Sequence, residues 1–455
     1  MNKSLISNLA VIISCFFQFP KQDSLLKQFY NGSCGFFAKG AHLWRITKRR
    51  KKMPEFADLM NSFEPSGIVE INNTATAMKA DGIDVVNLSI GVPNFSPPSH
   101  AYDAGKAAID SDIGLKYLNS KGQPSLLEAF RGRLKEDGFS YDMSEICITM
   151  GGKGALYLLF RALLDEGDEV VYGAPYWSSY RGMIKFCGGT PTALTCGSDQ
   201  HYKLTPEQLD AAITEKTKIF LFNNPSNPTG MVYTEDEVKA LAEVMKKHPH
   251  VWVLSDDIYD KLIYDGEKFH HLLHFAPELK DRLFIMQSVS KNYGLPGLRI
   301  GGIAGPEKVL KLLPKIVGQT YMNIPNISQQ IAASVFSGDH SFLTEVKDNF
   351  VKRRDIALNA MEECGLTCPK PSGAFYVFPD ANVYMGTSYK GKPVNNGYDL
   401  CKLLLEEAHV ATVPGEEFGA DGCFRISYAC PEAELQKGMD RLVSFFKELK
   451  QSQVA

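Results

Sequence analysis

The chain has no Cys-x-x-Cys pair, although ten of its 455 residues are cysteine. The cysteines are scattered, some within apolar stretches such as Ile146-Cys147-Ile148. That spacing supports neither a zinc site nor a disulfide framework, and points to reduced thiols in a cytoplasm. Neither sign of charge prevails, with 49 Lys plus Arg against 52 Asp plus Glu. This balance argues against a nucleic-acid or membrane-surface role for the whole chain. The apolar run Leu9–Phe19 is far shorter than the ~20 residues a membrane span needs. There is no internal repeat and no low-complexity linker. At this length about three domains are allowed.

Residues 1–52 differ in character from the rest of the chain. Lys3 and the apolar run resemble a signal-peptide start, but Phe16-Phe-Gln-Phe-Pro-Lys-Gln offers no small-x-small cleavage site. The basic run Arg45-Ile-Thr-Lys-Arg-Arg-Lys-Lys52 then leads directly into Met53-Pro-Glu-Phe. An export signal, a basic membrane-touching arm, and sequence upstream of a natural start at Met53 are the open readings. The last is preferred, with the basic run as a solvated tail.

From Met53 onward, short apolar runs alternate with amphipathic stretches. Strands are predicted at 85–89, Ile146–Met150, Glu169–Tyr172, Lys218–Phe222, Val251–Leu254, Leu283–Met286 and Gly301–Ala304. Helices are predicted over Ser66–Met78, to about Leu134, and over Ala155–Leu164. Two further helices open at capping boxes, Thr205-Pro-Glu-Gln208 and Thr234-Glu-Asp-Glu237. Such alternation indicates an α/β fold with a mostly parallel sheet covered by helices. Past about Ser337 the pattern changes to a smaller α+β region. There a strand is predicted over Pro371–Pro379, a helix over Tyr398–Ala408, and strands at Val410–Thr412 and Phe424–Tyr428. A last amphipathic helix carries Leu435, Met439, Leu442, Phe446 and Leu449 at spacings of four and three. These changes of pattern place a joining segment at 53–100, a large domain at 101–337 and a small domain at 338–455.

The polar clusters all come after strands, which gathers them at one edge of an open α/β sheet, where such sheets bind ligands. The central cluster is Ser288-Val-Ser-Lys291-Asn-Tyr-Gly-Leu-Pro-Gly-Leu-Arg299. Two hydroxyls, a lysine and an arginine can hold a phosphate beside an amine. A lysine whose pKa is lowered can form a Schiff base with an aldehyde. A solvated loop lysine is the plain alternative. Gly151-Gly152-Lys153-Gly154 opens a helix whose free N–H groups and dipole suit an anion, or else it is an ordinary tight turn. No metal site is indicated.

Taken together, Asn224-Pro-Ser-Asn227-Pro-Thr-Gly, Ser255-Asp256-Asp-Ile-Tyr259, Ser290-Lys291 with Arg299, and Phe424-Arg425-Ile-Ser-Tyr428 resemble the class I pyridoxal-phosphate aminotransferases of fold type I. Gly151-Gly152-Lys153 with Ala155-Leu156, and Pro175-Tyr-Trp177-Ser-Ser-Tyr180, resemble the bacterial aspartate/prephenate branch. The resemblance covers residues 57–450 and implies pyridoxal 5'-phosphate as cofactor. It implies Lys291 as the lysine that carries the cofactor and moves the substrate proton, and Asp256 as the partner of the ring nitrogen. Asn227 and Tyr259 are implied for the ring oxygen and Trp177 for stacking on the ring. Gly152, Lys153, Ser288, Ser290 and Arg299 are implied for the phosphate. Tyr117 is implied to reach the phosphate of a neighbouring subunit, and hence a homodimer. Arg425 and Gly91 are implied for the substrate's α-carboxylate end, with Trp177 and Asn227 also touching substrate. A structural ion pair is the alternative role for Arg425.

Lys153 is implied to meet a distal carboxylate from within a largely desolvated cleft, which favours aspartate as donor and a 2-oxo acid such as 2-oxoglutarate as acceptor. The branch pattern is broken at Gly154, where glutamine is usual, and at Ile68, where a threonine often helps. Val92 and Asn94 replace a glutamate and an aspartate. These departures leave aromatic, alanine-like or prephenate substrates open. They also leave open a lyase or synthase on the same frame, which would not need a 2-oxo acid to regenerate the cofactor. A non-catalytic regulator would need a DNA-binding domain, and no helix-turn-helix pattern occurs in residues 1–52.

Overall fold

In the computed structural model, residues 67–112 and 116–451 are described, together with Ala57 and Met60. The expectation about residues 1–52 and Met53 lies outside the described residues. The chain enters through helix α1 (Gly67–Ala80) and the short strand β1 (Val86–Asn87), followed by helices α2 (Ser99–Asp110) and α3 (Pro124–Glu136). Seven strands then build the central sheet: β2 (Ile146–Thr149), β3 (Glu169–Ala174), β4 (Thr190–Thr195), β5 (Thr217–Asn223), β6 (Trp252–Asp256), β7 (Leu283–Ser288) and β8 (Gly301–Ala304). Their spatial order is β2-β8-β7-β6-β5-β3-β4. The pairings among β3, β4, β5, β6 and β7 are parallel, while β8 runs antiparallel to both β2 and β7.

The α/β class and mostly parallel sheet expected from the alternation are what the chain forms. Helices cover both faces, so the inner strands are apolar along their length instead of alternating. In β7 all six residues are buried. Both capping boxes form: Thr205 Oγ1 accepts from Gln208 N and Thr234 Oγ1 from Glu237 N, with each side chain at the third helical position answering the cap N–H. Helix α4 (Gly151–Leu163) comes directly after β2, helix α5 (Glu235–Lys247) lies between β5 and β6, and the one-turn helix α6 (Val289–Asn292) comes after β7.

Helices α7 (Asn326–Ser337) and α8 (Phe342–Glu363) lead to a second, smaller sheet region. It holds β9 (Tyr376–Val377), a hairpin β10 (Thr387–Tyr389) and β11 (Lys392–Val394), helix α9 (Gly397–Glu407), β12 (Val410–Ala411), β13 (Val413–Pro414), β14 (Phe424–Ser427) and helix α10 (Glu432–Gln451). The strand predicted over Pro371–Pro379 shrinks to two residues. Ala374 sits in the left-handed region at φ 54° and breaks the ladder ahead of Tyr376. The hairpin was not predicted, because its short polar strands lack an apolar alternation. Here β1 pairs in parallel with β12, while β14 lies between β13 and β9. The core of this region joins Val86, Leu88, Phe350, Met361, Leu404, Leu442 and Phe446. All five apolar positions expected for the last helix are buried on α10.

Candidate active site

The C-terminal ends of β2, β3, β5, β6 and β7 lie along one edge of the sheet. Because β8 is reversed, its beginning lies at that same edge, which is why Arg299, just ahead of β8, joins residues that come after the other strands. A cavity of about 430 Å³ opens there. It is lined by Gly91, Gly152, Lys153, Trp177, Asn227, Asp256, Tyr259, Ser288, Ser290, Lys291, Arg299 and Arg425. Of the expected site residues, only Tyr117 is not among its lining. That residue is 87% exposed on this chain.

Lys291, in helix α6, points its ammonium at the Gly91 carbonyl, 2.5 Å away. Burial, with the Arg425 and Arg299 charges, lowers its pKa to about 8, so a fraction of the amine is neutral near physiological pH. Asp256, at the end of β6, is buried, and its Oδ2 accepts from the Tyr180 hydroxyl at 2.5 Å. Its Oδ1 is buried without a hydrogen-bond partner. Burial, opposed by the Tyr180 bond and reinforced by Asp257, raises the Asp256 pKa to about 7. Asn223 fixes this corner: its Nδ2 donates to the Asp256 carbonyl at 2.8 Å, and its Oδ1 accepts from Asn227 N at 3.0 Å. The Tyr259 and Tyr376 hydroxyls are 3.0 Å apart.

Tyr180, Asn223 and Tyr376 were not singled out as site residues from the sequence. Tyr180 stands one turn after Trp177 in the same motif, and Asn223 closes β5. Both were therefore within reach of a reading by strand ends. Tyr376 was read only as a strand residue. Its meeting with Tyr259 is a contact between segments over a hundred residues apart, and no local pattern reports it.

Opposite Lys291, helix α4 presents its first turn. Met150 gives no side-chain cap, so the N–H groups there are free for an anion. Gly151 has φ +68°, and a Cβ on it would lie 2.8 Å from Arg299 Nη2, so the guanidinium can sit over the helix start only because this residue is glycine. Arg299 Nη1 donates to the Pro296 carbonyl at 3.0 Å. Ser288 Oγ caps α6 by accepting from Ser290 N at 2.9 Å.

Arg425, on β14, is 4% exposed. Nη1 donates to Asn227 Oδ1 at 3.0 Å and Nη2 to the Ser89 carbonyl at 2.7 Å. Its guanidinium carbon lies 4.7 Å from the Tyr376 ring centroid and 4.9 Å from that of Phe418. Among the described residues no carboxylate forms an ion pair with it, and burial lowers its pKa. The structural ion pair considered for it is therefore not formed there. Lys153, in the first turn of α4, lines the cavity but is exposed on this chain instead of enclosed. Its ammonium lies 5.0 Å from the Trp177 ring centroid, and partial desolvation, then Arg299, lowers its pKa.

This set can bind one anion at the α4 start, a ring N–H at Asp256, an aldehyde at Lys291 and a carboxylate at Arg425. Comparison with known proteins agrees with that chemistry. A model of the family described as aminotransferase class I and II matches residues 83–442. The chain belongs to the class I and II aminotransferases. This aminotransferase is 42% identical over 386 residues to a Rickettsia bellii protein named probable aspartate/prephenate aminotransferase, covering 84% of this chain and 96% of that protein. It is 40% identical over 396 residues to the aspartate/prephenate aminotransferase of Cereibacter sphaeroides, covering 86% and 99%. The crystal structure of the Rhizobium meliloti aspartate aminotransferase superposes with a TM-score of 0.84 at 37% identity, covering 87% of this chain and all of that one. Enzymes of this family use pyridoxal phosphate. The aminotransferase's own residues fit that group: the unpartnered Asp256 Oδ1 suits a protonated ring nitrogen, and the uncapped α4 start suits a phosphate. Among the described residues, no helix is long and apolar enough to cross a membrane, no cluster could hold a metal ion, and the eight cysteines are all free.

Proposed function

We propose that this aminotransferase holds pyridoxal phosphate through Lys291 and moves an amino group between L-aspartate and a 2-oxo acid such as 2-oxoglutarate. When bound, the cofactor supplies an aldehyde that takes up the amino group and a ring that withdraws electrons from the substrate Cα. The α4 N–H groups of Gly152 and Lys153, the Ser288 and Ser290 hydroxyls and the Arg299 guanidinium hold its phosphate. Asp256 Oδ1 accepts the ring N–H while Tyr180 holds Oδ2, which fixes the carboxylate's direction. Asn227 and Tyr259 hold the ring oxygen, and Trp177 covers one ring face.

The substrate's α-carboxylate lies against Arg425, where a planar fork suits two oxygens. Gly91 lies beside it and holds the Lys291 amine through its carbonyl. Lys291 Nζ then takes the Cα proton. A pKa near 8 makes a neutral amine available for that transfer without a strong base. Lys153 meets the donor's distal carboxylate at the rim. The names of the relatives at about 40% identity support aspartate. Ile68, Val69 and Ile90 along the cavity favour a second reading, in which apolar, aromatic or prephenate-like side chains are also accepted.

Exposed Tyr117 serves the phosphate of a second copy in a homodimer. Residues 101–337 form the cofactor-binding domain and 338–455 the smaller one, joined by 53–100. The free thiols fit a reducing cytoplasm.

The observation that carries this reading is a buried guanidinium with no carboxylate partner among the described residues, in one cavity with a half-buried lysine amine. Borohydride reduction of the holoenzyme, followed by peptide mapping, should place a pyridoxyl group on Lys291. Lys291→Ala should abolish transamination yet keep some cofactor through the phosphate and ring contacts. A pyridoxyl group on another lysine overturns the assignment. A half-reaction panel of amino acids, followed by absorbance, identifies the donor.

A further inference from the structure

Helix α1 forms one wall of the cavity through Ile68, Val69 and Asn72, yet its own packing is thin. Of its 14 residues only Gly67 and Ala75 are buried. Ile68, Ile71 and Met78 pack half-buried against neighbouring apolar clusters, and two polar ties fix the helix further. At its start Gly67 N donates to Glu417 Oε1 at 2.9 Å, an oxygen that also accepts from the Tyr398 hydroxyl at 2.8 Å. In its second turn Asn72 Oδ1 accepts from Asn87 Nδ2 at 3.0 Å.

The second tie leads to Arg425. Asn87 Oδ1 accepts from Ser89 N at 3.1 Å and from Ser89 Oγ at 2.7 Å. The backbone donor settles which end of the Asn87 amide is oxygen, so its NH₂ must face Asn72. The Ser89 carbonyl accepts from Arg425 Nη2 at 2.7 Å. Leu88 also ties this segment to two strands: its N donates to the Ala411 carbonyl on β12, and its carbonyl accepts from Ser427 N on β14, the strand that carries Arg425, both at 2.9 Å. An unbroken chain of hydrogen bonds thus joins the guanidinium to the helix wall.

We propose that Asn72 and Asn87 are positioning residues that couple Arg425 to α1. When a carboxylate engages Arg425, the guanidinium reorients against Ser89, and the Asn87–Asn72 pair passes that change to the helix. The end of the cavity that receives the donor's side chain is thereby set by the end that holds its α-carboxylate. This inference rests on the proposed role of Arg425 in binding the α-carboxylate. Coupling of two sites through a defined element is a free energy that a double-mutant cycle can measure.

The test uses full-chain holoenzyme and succinate, a dicarboxylate with no amino group to transfer. Amide hydrogen exchange across Gly67–Ala80 should slow on the order of tenfold at saturating succinate. Asn72→Ala removes the bond from the helix side and Asn87→Ala removes it from the other, whereas Asn87→Asp would leave a carboxylate free to accept from a turned Asn72 amide. In either alanine variant the slowing should fall below about twofold, and the double variant should match the singles. In turnover, KM should move more than kcat, and more for aspartate than for alanine. Slowing in the variants equal to the wild type, no slowing in the wild type, or effects that add in the double variant each overturn the coupling. Failure of the wild type to transaminate any amino acid would instead overturn the proposed reaction, and the exchange result would still decide the coupling.

Discussion

Arg133 and Arg425 are buried to nearly the same degree, 2% and 4% exposed, but their surroundings differ. Arg133, on α3, faces Asp137 at 2.7 Å and Asp260 at 2.9 Å, and its Nε donates to the Tyr293 hydroxyl at 3.1 Å. Asn292 donates to the other Asp260 oxygen at 2.5 Å, and Lys261 lies 2.5 Å from Asp137. Burial pulls the Arg133 pKa down, but Asp260, Tyr293 and Asp137 outweigh it and the pKa rises. Among the described residues, Arg425 is hydrogen-bonded to neutral oxygens and flanked by two aromatic rings, and its pKa falls. Burial is therefore common to both, and the partners separate a charge that holds the fold from one reserved for a ligand. A buried charge without a counter-charge costs several kcal/mol, and such a cost persists where the site uses it.

The largest effect that sharpens this contrast is expected at Arg425. Arg425→Met should lower kcat/KM for aspartate on the order of 10³-fold, since a buried carboxylate contact is worth roughly 2–5 kcal/mol. Arg133→Met should do the reverse. It leaves Asp137 and Asp260 with less compensation, so urea titration should show a loss of about 3–5 kcal/mol, while the folded molecules keep most of their turnover per site. A loss of turnover on the order of 10³-fold in well-folded Arg133→Met would break the comparison.

Lys153 is an intermediate case, since it is exposed and carries no carboxylate partner among the described residues. Lys153→Ala should cost aspartate roughly 1–3 kcal/mol more than phenylalanine, read as the ratio of half-reaction rates. Equal losses for both donors would confine the lysine to the phosphate loop.

At Asp256 the effect on stability is expected to be the smallest of these, though turnover is lost. Its folded pKa, about 7, lies above the ordinary carboxylate value, so the apo-protein bears a destabilising cost above about pH 7. That cost fades as pH falls from about 7 toward about 4. Asp256→Asn should abolish turnover yet raise apo-protein stability at about pH 8, read as a higher Tm. The gain should shrink to nothing near about pH 4. A gain that persists in that acid range would contradict the linkage.

The parallel sheet was legible because its inner strands are apolar runs ending in turn residues, with polar clusters after β2, β3, β5, β6 and β7. Strand β4 was not predicted, because Thr190–Thr195 is an exposed, threonine-rich edge strand. Lys291 and Asp256 could be found because each lies in a local motif beside such a cluster-bearing strand end, and Arg425 because it lies in the local motif 424–428 within a strand of the smaller sheet. The Tyr259–Tyr376 pair and the Asn72–Asn87–Ser89–Arg425 chain could not, because each joins segments brought together only by the packing of the smaller sheet. Lys153 lines the cavity where its motif places it, but it is more exposed on this chain than a desolvated cleft implies. A motif reports position along α4, whereas exposure depends on which side of the helix the neighbouring segments cover. Residues 371–375 read as strand from composition, and only the left-handed Ala374 shows why they are not.

The central claim is that the charge on Arg425 serves a ligand and not the fold. Urea unfolding of apo-protein Arg425→Met beside the wild type tests it most directly. Removal of an uncompensated buried charge should leave the unfolding free energy unchanged or raise it. A loss as large as that expected for Arg133→Met, about 3–5 kcal/mol, would show that Arg425 is a structural residue and contradict the account.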